Sequence, residues 1–146
     1  MSQRCEILIV DDEPIVGERL KPFIEKDGHA VETFIDPVQA MQRLKAKDFD
    51  IVISDIRMRE MDGIAVMEKV FQKSRRIKVI MITGYATMEL ARESLTKGAF
   101  DFIAKPFKMK EIRRTIRKAV EIIEAEKSQI DKNTTPFQEK LSQQGI

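Results

Sequence analysis

Five positions in this 146-residue chain carry side chains whose types and spacing suit phosphoryl chemistry: the doublet Asp11-Asp12, then Asp55, Thr83 and Lys105. Each follows a short apolar run: Ile7-Leu8-Ile9-Val10, Ile51-Val52-Ile53-Ser54, Val79-Ile80-Met81-Ile82 and Phe102-Ile103-Ala104. Taken singly, each has a plain explanation, because Asp and Thr form turns and helix caps at strand ends. Together they pose a problem that caps do not. Three neighbouring carboxylates repel, and each raises the cost of ionising the others. A hard divalent cation with oxygen ligands relieves that repulsion, and Mg²⁺ is held typically by one or two carboxylates plus water. A metal and the Lys105 ammonium bracketing one carboxylate would make a positive pocket for a phosphoryl group. An aspartate is a competent nucleophile there, forming an acyl phosphate. The doublet suits the metal, which leaves Asp55 as the acceptor. Thr83 is placed to donate a hydrogen bond to a phosphoryl oxygen, and Gly84 leaves room beside it.

The elements that must position these residues are legible in the apolar pattern. Strands are expected at 6–10, 30–35, 49–54, 77–82 and 100–104, because near-continuous apolar runs of that length mark buried strands. Helices are expected between them. Pro14 suits a first helical turn, Gly28 ends the first helix, and Asp36-Pro37 caps and opens the second. Met61-Asp62-Gly63 turns into a third helix over 64–71, a fourth spans 86–97 before Gly98, and a fifth begins at Lys108. Five repeats of strand then helix imply an α/β fold: a doubly wound, five-stranded parallel sheet with five helices. Right-handed crossovers favour the flavodoxin-like order 2-1-3-4-5. Ligands in such sheets bind beyond the strand carboxyl ends where the order reverses, and Asp11, Asp12 and Asp55 fall there.

Composition bounds the remaining possibilities. The chain is 42% hydrophobic and 34% charged, an ordinary globular balance, and its length suits one domain. No apolar stretch approaches the roughly 18 residues of a membrane span, and the N-terminus passes straight into a strand pattern without a signal peptide. A single cysteine and a single histidine exclude an internal disulfide and a structural zinc site. A cytoplasmic setting is expected. Net charge is +2, but residues 1–104 hold 16 basic against 18 acidic side chains, whereas residues 105–127 hold 8 against 4. The basic excess therefore sits on one helix, and a solvated face rather than a nucleic-acid surface is expected.

The motifs Val10-Asp11-Asp12-Glu13-Pro14, Ser54-Asp55-Ile56-Arg57-Met58, Met61-Asp62-Gly63, Thr83-Gly84 and Gly98-Ala99-Phe100-Asp101-Phe102-Ile103-Ala104-Lys105-Pro106-Phe107 occur in this order. Across residues 5 to 120 the chain closely resembles the receiver domain of two-component response regulators. It looks most like receivers of the nitrogen-regulation type, which often precede ATPase and DNA-binding domains. The resemblance implies that Asp55 accepts phosphate from a sensor histidine kinase. It implies that Asp12, Asp55 and the Arg57 carbonyl ligate Mg²⁺ while Asp11 acts mainly through water. It also implies that Lys105 pairs with the phosphoryl group, that Thr83 moves to bind it, and that Phe102 swings inward with Thr83. Such a switch would alter the face of the fourth helix, fifth strand and fifth helix. The Lys105-Pro106 bond is commonly cis in the family. One departure is visible: the family's Met-Pro pair after the acceptor is here Met58-Arg59.

Two other readings compete. An aspartate-nucleophile phosphatase also uses Mg²⁺, Asp and Lys, but usually through a D-x-D motif on the first strand and a substrate cap, neither of which is present. A docking domain that is never phosphorylated is disfavoured by the retained carboxylates and lysine. The reading is thus a receiver domain over 1–120, a phosphoacceptor switch rather than an enzyme with an outside substrate. A helical extension and polar linker tail follow over 121–146, loosely ordered from Ser128. Met109, Ile112, Ile116, Ala119 and Ile123 form an inward stripe. Ile122 and Ile123 lie past the end of the sheet, which motivates a homodimer through the fifth helix. His29 is read as a surface histidine and Cys5 as a small buried hydrophobe.

Overall fold

A computed structural model of the chain describes residues 4–84 and 88–143, the last thirteen through their backbone path. Ten elements alternate: β1 (Glu6–Val10), α1 (Pro14–Glu25), β2 (Ala30–Phe34), α2 (Pro37–Ala46), β3 (Ile51–Asp55), α3 (Gly63–Lys73), β4 (Lys78–Thr83), α4 (Met88–Thr96), β5 (Asp101–Ala104) and α5 (Met109–Gln143). The five strands form one sheet in the order β2-β1-β3-β4-β5, with every described pairing parallel. This is the flavodoxin-like arrangement that the apolar runs predict. The expected start of the fourth helix at Ala86 lies outside the described residues.

Side-chain alternation along each strand builds two separate cores. Ile7 and Ile9 join Ile51, Ile53, Ile80 and Ile82 beneath α1 and α5, where Leu20, Ile24, Ile112 and Ile116 close the layer. Leu8, Val10, Val52 and Met81 face the other way, against Ala40, Leu44, Val66, Met67 and Val70 of α2 and α3. The inner strands β1, β3 and β4 are buried on both faces, so they carry apolar residues at successive positions, whereas the edge strands β2 and β5 are only part-buried.

Local signals set the element ends. Asp36 caps α2 by accepting from the Val38 amide, and Asp62 caps α3 by accepting from the Ala65 amide. Gly28 and Gly98 adopt φ of 94° and 116°, the left-handed region that favours glycine after a helix. The Lys105-Pro106 bond is cis.

Three expectations need correction. His29 is buried, not on the surface, and its Nδ1 accepts the Cys5 amide at 3.1 Å. Ile123 belongs to the core beneath α5, because that helix reaches past the sheet end and packs there, while Ile122 on its other face is 44% exposed. The stretch from Ser128, expected as loose tail, continues α5 to Gln143. Helix formers run without a breaker from Glu121 to Lys127, and the helix continues through Asn133-Thr134-Thr135-Pro136.

Candidate functional site

The carboxyl ends of β1, β3, β4 and β5 meet at one rim, and each contributes the residue that follows or ends its apolar run. Asp11 comes directly after β1, Asp55 ends β3, Thr83 ends β4, and Lys105 comes directly after β5. Register ties them together: Asp55 pairs with Ile82, and Thr83 pairs with Ala104. The Lys105 amide donates to the Thr83 carbonyl at 2.7 Å, and the Ile56 amide donates to the Ile82 carbonyl at 3.1 Å.

Carboxylate oxygens of Asp11, Asp12 and Asp55 lie within 4.8 Å of one another. Asp11 and Asp55 are buried, and Asp12 is the more open of the three. The Lys105 ammonium reaches across from the far strand to Asp11 Oδ2 at 2.9 Å, Glu13 Oε1 at 3.2 Å and Asp55 Oδ2 at 3.4 Å. Glu13 was not singled out from the sequence. Only its place in the Asp11-Asp12-Glu13 run hints at it, because its partner is 92 residues away.

Charge at this rim is under-compensated. Burial, and then the neighbouring Asp11 carboxylate, push the Asp55 carboxyl up to about 6 against the pull of Lys105. Burial likewise raises Asp11. Burial works against charge on Lys105 too, but Asp11, then Asp55 and Glu13, hold its ammonium above the ordinary lysine range. Asp11 Oδ1 accepts the Glu13 amide at 2.9 Å. Its Oδ2 is buried against the Lys105 ammonium at 2.9 Å, with no further polar partner among the described residues. A buried carboxylate oxygen in that condition, beside two further carboxylates, fits a hard cation such as Mg²⁺.

Arg57 meets the site through its backbone, whose N–H helps to hold the Asp55 carboxylate, while its side chain is exposed. Thr83 is fully buried, with Oγ1 donating to the Gly84 carbonyl at 3.0 Å. Phe102 is half-buried against the core on the α2–α3 face and lies opposite Met81. Gly63 is a contributor that the turn motif alone does not reveal. A Cβ there would stand 2.5 Å from the Asp55 carbonyl oxygen and 2.8 Å from the Ile56 Cα, so only glycine lets α3 start against the Asp55 backbone. Its amide donates to the Ile56 carbonyl at 2.7 Å.

Parallel sheet, switch-point carboxylates and cross-rim lysine define a class, and comparison with known proteins supplies its name. Residues 7–117 match the response regulator receiver domain, so the chain belongs to that family. It is a receiver domain of two-component signalling, whose members receive phosphate from histidine kinases as switches. It is 33% identical over 121 residues to the C4-dicarboxylate transport transcriptional regulatory protein DctD of Rhizobium meliloti, covering 83% of this chain and 26% of that protein. It is 31% identical over 119 residues to the transcriptional regulatory protein ZraR of Klebsiella oxytoca, covering 82% and 27%. The chain thus spans about a quarter of the length of these relatives. Among solved structures, NtrX from Brucella abortus superposes with a TM-score of 0.82 at 27% identity, over 88% of this chain and 30% of that one. A CheY-like receiver domain from Methanospirillum hungatei gives 0.80 at 29%, over 85% and 99%. Resemblance to a nitrogen-regulation type of receiver accords with the NtrX match. Among the described residues, no helix is long and apolar enough to cross a membrane.

Proposed function

We propose that Asp55 is the phosphoacceptor of this receiver, that Asp11, Asp12, Asp55 and the Arg57 carbonyl hold Mg²⁺, and that Lys105 and Thr83 receive the phosphoryl group. The observation that carries this reading is the Lys105 ammonium lying between Asp11 and Asp55 while a third carboxylate stands within 4.8 Å. Asp55 attacks the phosphorus of a kinase phosphohistidine; the new P–O bond forms as the P–N bond breaks, and the imidazole leaves with the electron pair. Bound Mg²⁺ would neutralise charge on the transferred group. Lys105 orients the group and screens it from the Asp11 charge. Thr83 donates its hydroxyl to a phosphoryl oxygen, and Phe102 follows it inward, altering the face formed by α4, β5 and α5.

The receiver unit occupies residues 1–120, with a helical extension after it, in a cytoplasmic protein. A sensor histidine kinase is the phosphate source, a second copy docks through α5, and an output domain or separate target reads the switch. No direct contact with nucleic acid is assigned to this unit. Incubation with a small acyl phosphate and Mg²⁺ should add one alkali-labile phosphoryl group per chain. Chelation should prevent its addition, and Asp55→Asn should abolish it. Undiminished labelling of that variant would place the acceptor elsewhere.

A further inference from the structure

On the side of the molecule away from α5, a groove of about 510 Å³ runs between α2 and α3. Both helices start at the functional rim and run back along the sheet, so the groove has an apolar end near that rim and a basic end away from it. Val38 and Met61 form the apolar end, over a floor of buried Met41 and Leu44. Val38 is 41% exposed, although its α2 neighbours Pro37, Ala40 and Met41 are buried. Lys45 and Lys69 line the walls, and no acidic side chain is among the lining residues. Lys73 also lines it, but its ammonium is taken up by the Leu44 and Lys47 carbonyls and by Asp48. Lys45 and Lys69 form no ion pair among the described residues.

We propose that this groove is a docking site for an acidic amphipathic helix of a partner protein. Charge complementarity selects that occupant: an apolar floor with two uncommitted ammoniums and no carboxylate favours apolar and acidic residues on one helical face. The spacing follows from α2 itself. Val38 and Lys45 are seven residues apart, about 10.5 Å along a helix axis at ~1.5 Å per residue. A partner helix laid along the groove therefore needs an apolar side chain at one position and a carboxylate two turns away, with a further apolar residue between them over Met41. A second copy of this chain is the rival occupant. It is disfavoured because a symmetric contact, groove against groove, would set Lys45 and Lys69 of one copy against the same lysines of the other.

The test uses the full chain and a synthetic sixteen-residue helical peptide (about four turns) bearing Leu at the apolar positions and Glu two turns on. Amide NMR shifts should be confined to α2, α3 and the loop between Asp55 and Gly63. The double variant Lys45→Glu, Lys69→Glu, both exposed side chains, should bind at least tenfold more weakly, and a peptide with Lys in place of Glu should bind that variant better than wild type. Val38→Ser should weaken binding of the original peptide without changing the melting temperature. Shifts centred elsewhere, or equal binding by the charge-reversed pair, would overturn the proposal. So would α2–α3 shifts that depend on protein concentration alone, which would assign the groove to a second copy.

Discussion

Burial withholds water from both Asp11 and Asp55, and the Lys105 ammonium that lies against them is divided among three carboxylates. Asp11 sits deepest of the acidic residues here and its charge adds to the cost of ionising Asp55, so it sustains part of this deficit. Asp11→Asn removes that charge while keeping side-chain volume and the oxygen that accepts from the Glu13 amide. The metal-free protein should then be at least as stable as wild type, by up to about 1 kcal/mol. Mg²⁺ affinity should fall at least tenfold. Thermal melts with chelator and a Mg²⁺ titration followed by NMR measure the two effects, and a variant that melts well below wild type without metal would make Asp11 a structural residue. The residues that could do chemistry were legible because each stands where an apolar run stops. Glu13 and Gly63 were not, since one depends on a lysine 92 residues away and the other on α3 starting so close to Asp55 that a Cβ would stand 2.5 Å from its carbonyl oxygen.

The same division holds for whole elements. Apolar runs marked the strands, most clearly the buried β1, β3 and β4, and right-handed crossovers supplied their order. Charged ties between elements are invisible in the sequence. Glu32 on β2 takes a 2.7 Å bond from Arg43 Nε on α2 and a 2.8 Å contact from Lys47, which together hold its carboxyl down near about 2. A carboxyl depressed by folding contributes stability at pH above its unfolded value of 4.5, and that contribution disappears as pH falls through the folded value. Wild type should therefore melt above Glu32→Gln at pH 7, and the gap should close between pH 4.5 and about 2. An unchanged gap at pH 2.5 (roughly the low end of that window) would show that Glu32 acts through packing. Ile123 is the counterpart in the core: 6% exposed on the inner face of α5, it carries the apolar layer beyond the end that sheet length alone suggests. Ile123→Ala should cost about 2 kcal/mol or somewhat more by denaturant unfolding, whereas Ile122→Ala, at an exposed site, should cost little.

At the scale of the molecule, burial of Ile123 alters the case for self-association. The pair Ile122 and Ile123 was expected to be open together; only Ile122 remains open, and one exposed isoleucine is common on monomer surfaces. The motive now comes from the length of α5, which runs from Met109 to Gln143, well past the last core residue at Ile123. Glu126 is tied back to Lys78 at 2.6 Å, and Ile130 still lines a groove with Phe49 and Ile77, so the domain body supports α5 to about that point. Beyond it the helix has thirteen more residues, and a run with Asn133, Thr134, Thr135 and Pro136 propagates weakly in water unless packing sustains it. A second α5 would supply such packing. Light scattering across a concentration series, on the full chain and on a truncation after Ile130, separates the outcomes. The truncation keeps Ile123 and the Lys78–Glu126 pair, so it should stay folded and monomeric, while the full chain should show a concentration-dependent rise toward dimer mass. Circular dichroism should then show the full chain gaining helix as it associates. If the full chain remains monomeric at every concentration, with and without an acyl phosphate, α5 does not dimerise this receiver and the helix beyond Ile130 acts only as a spacer.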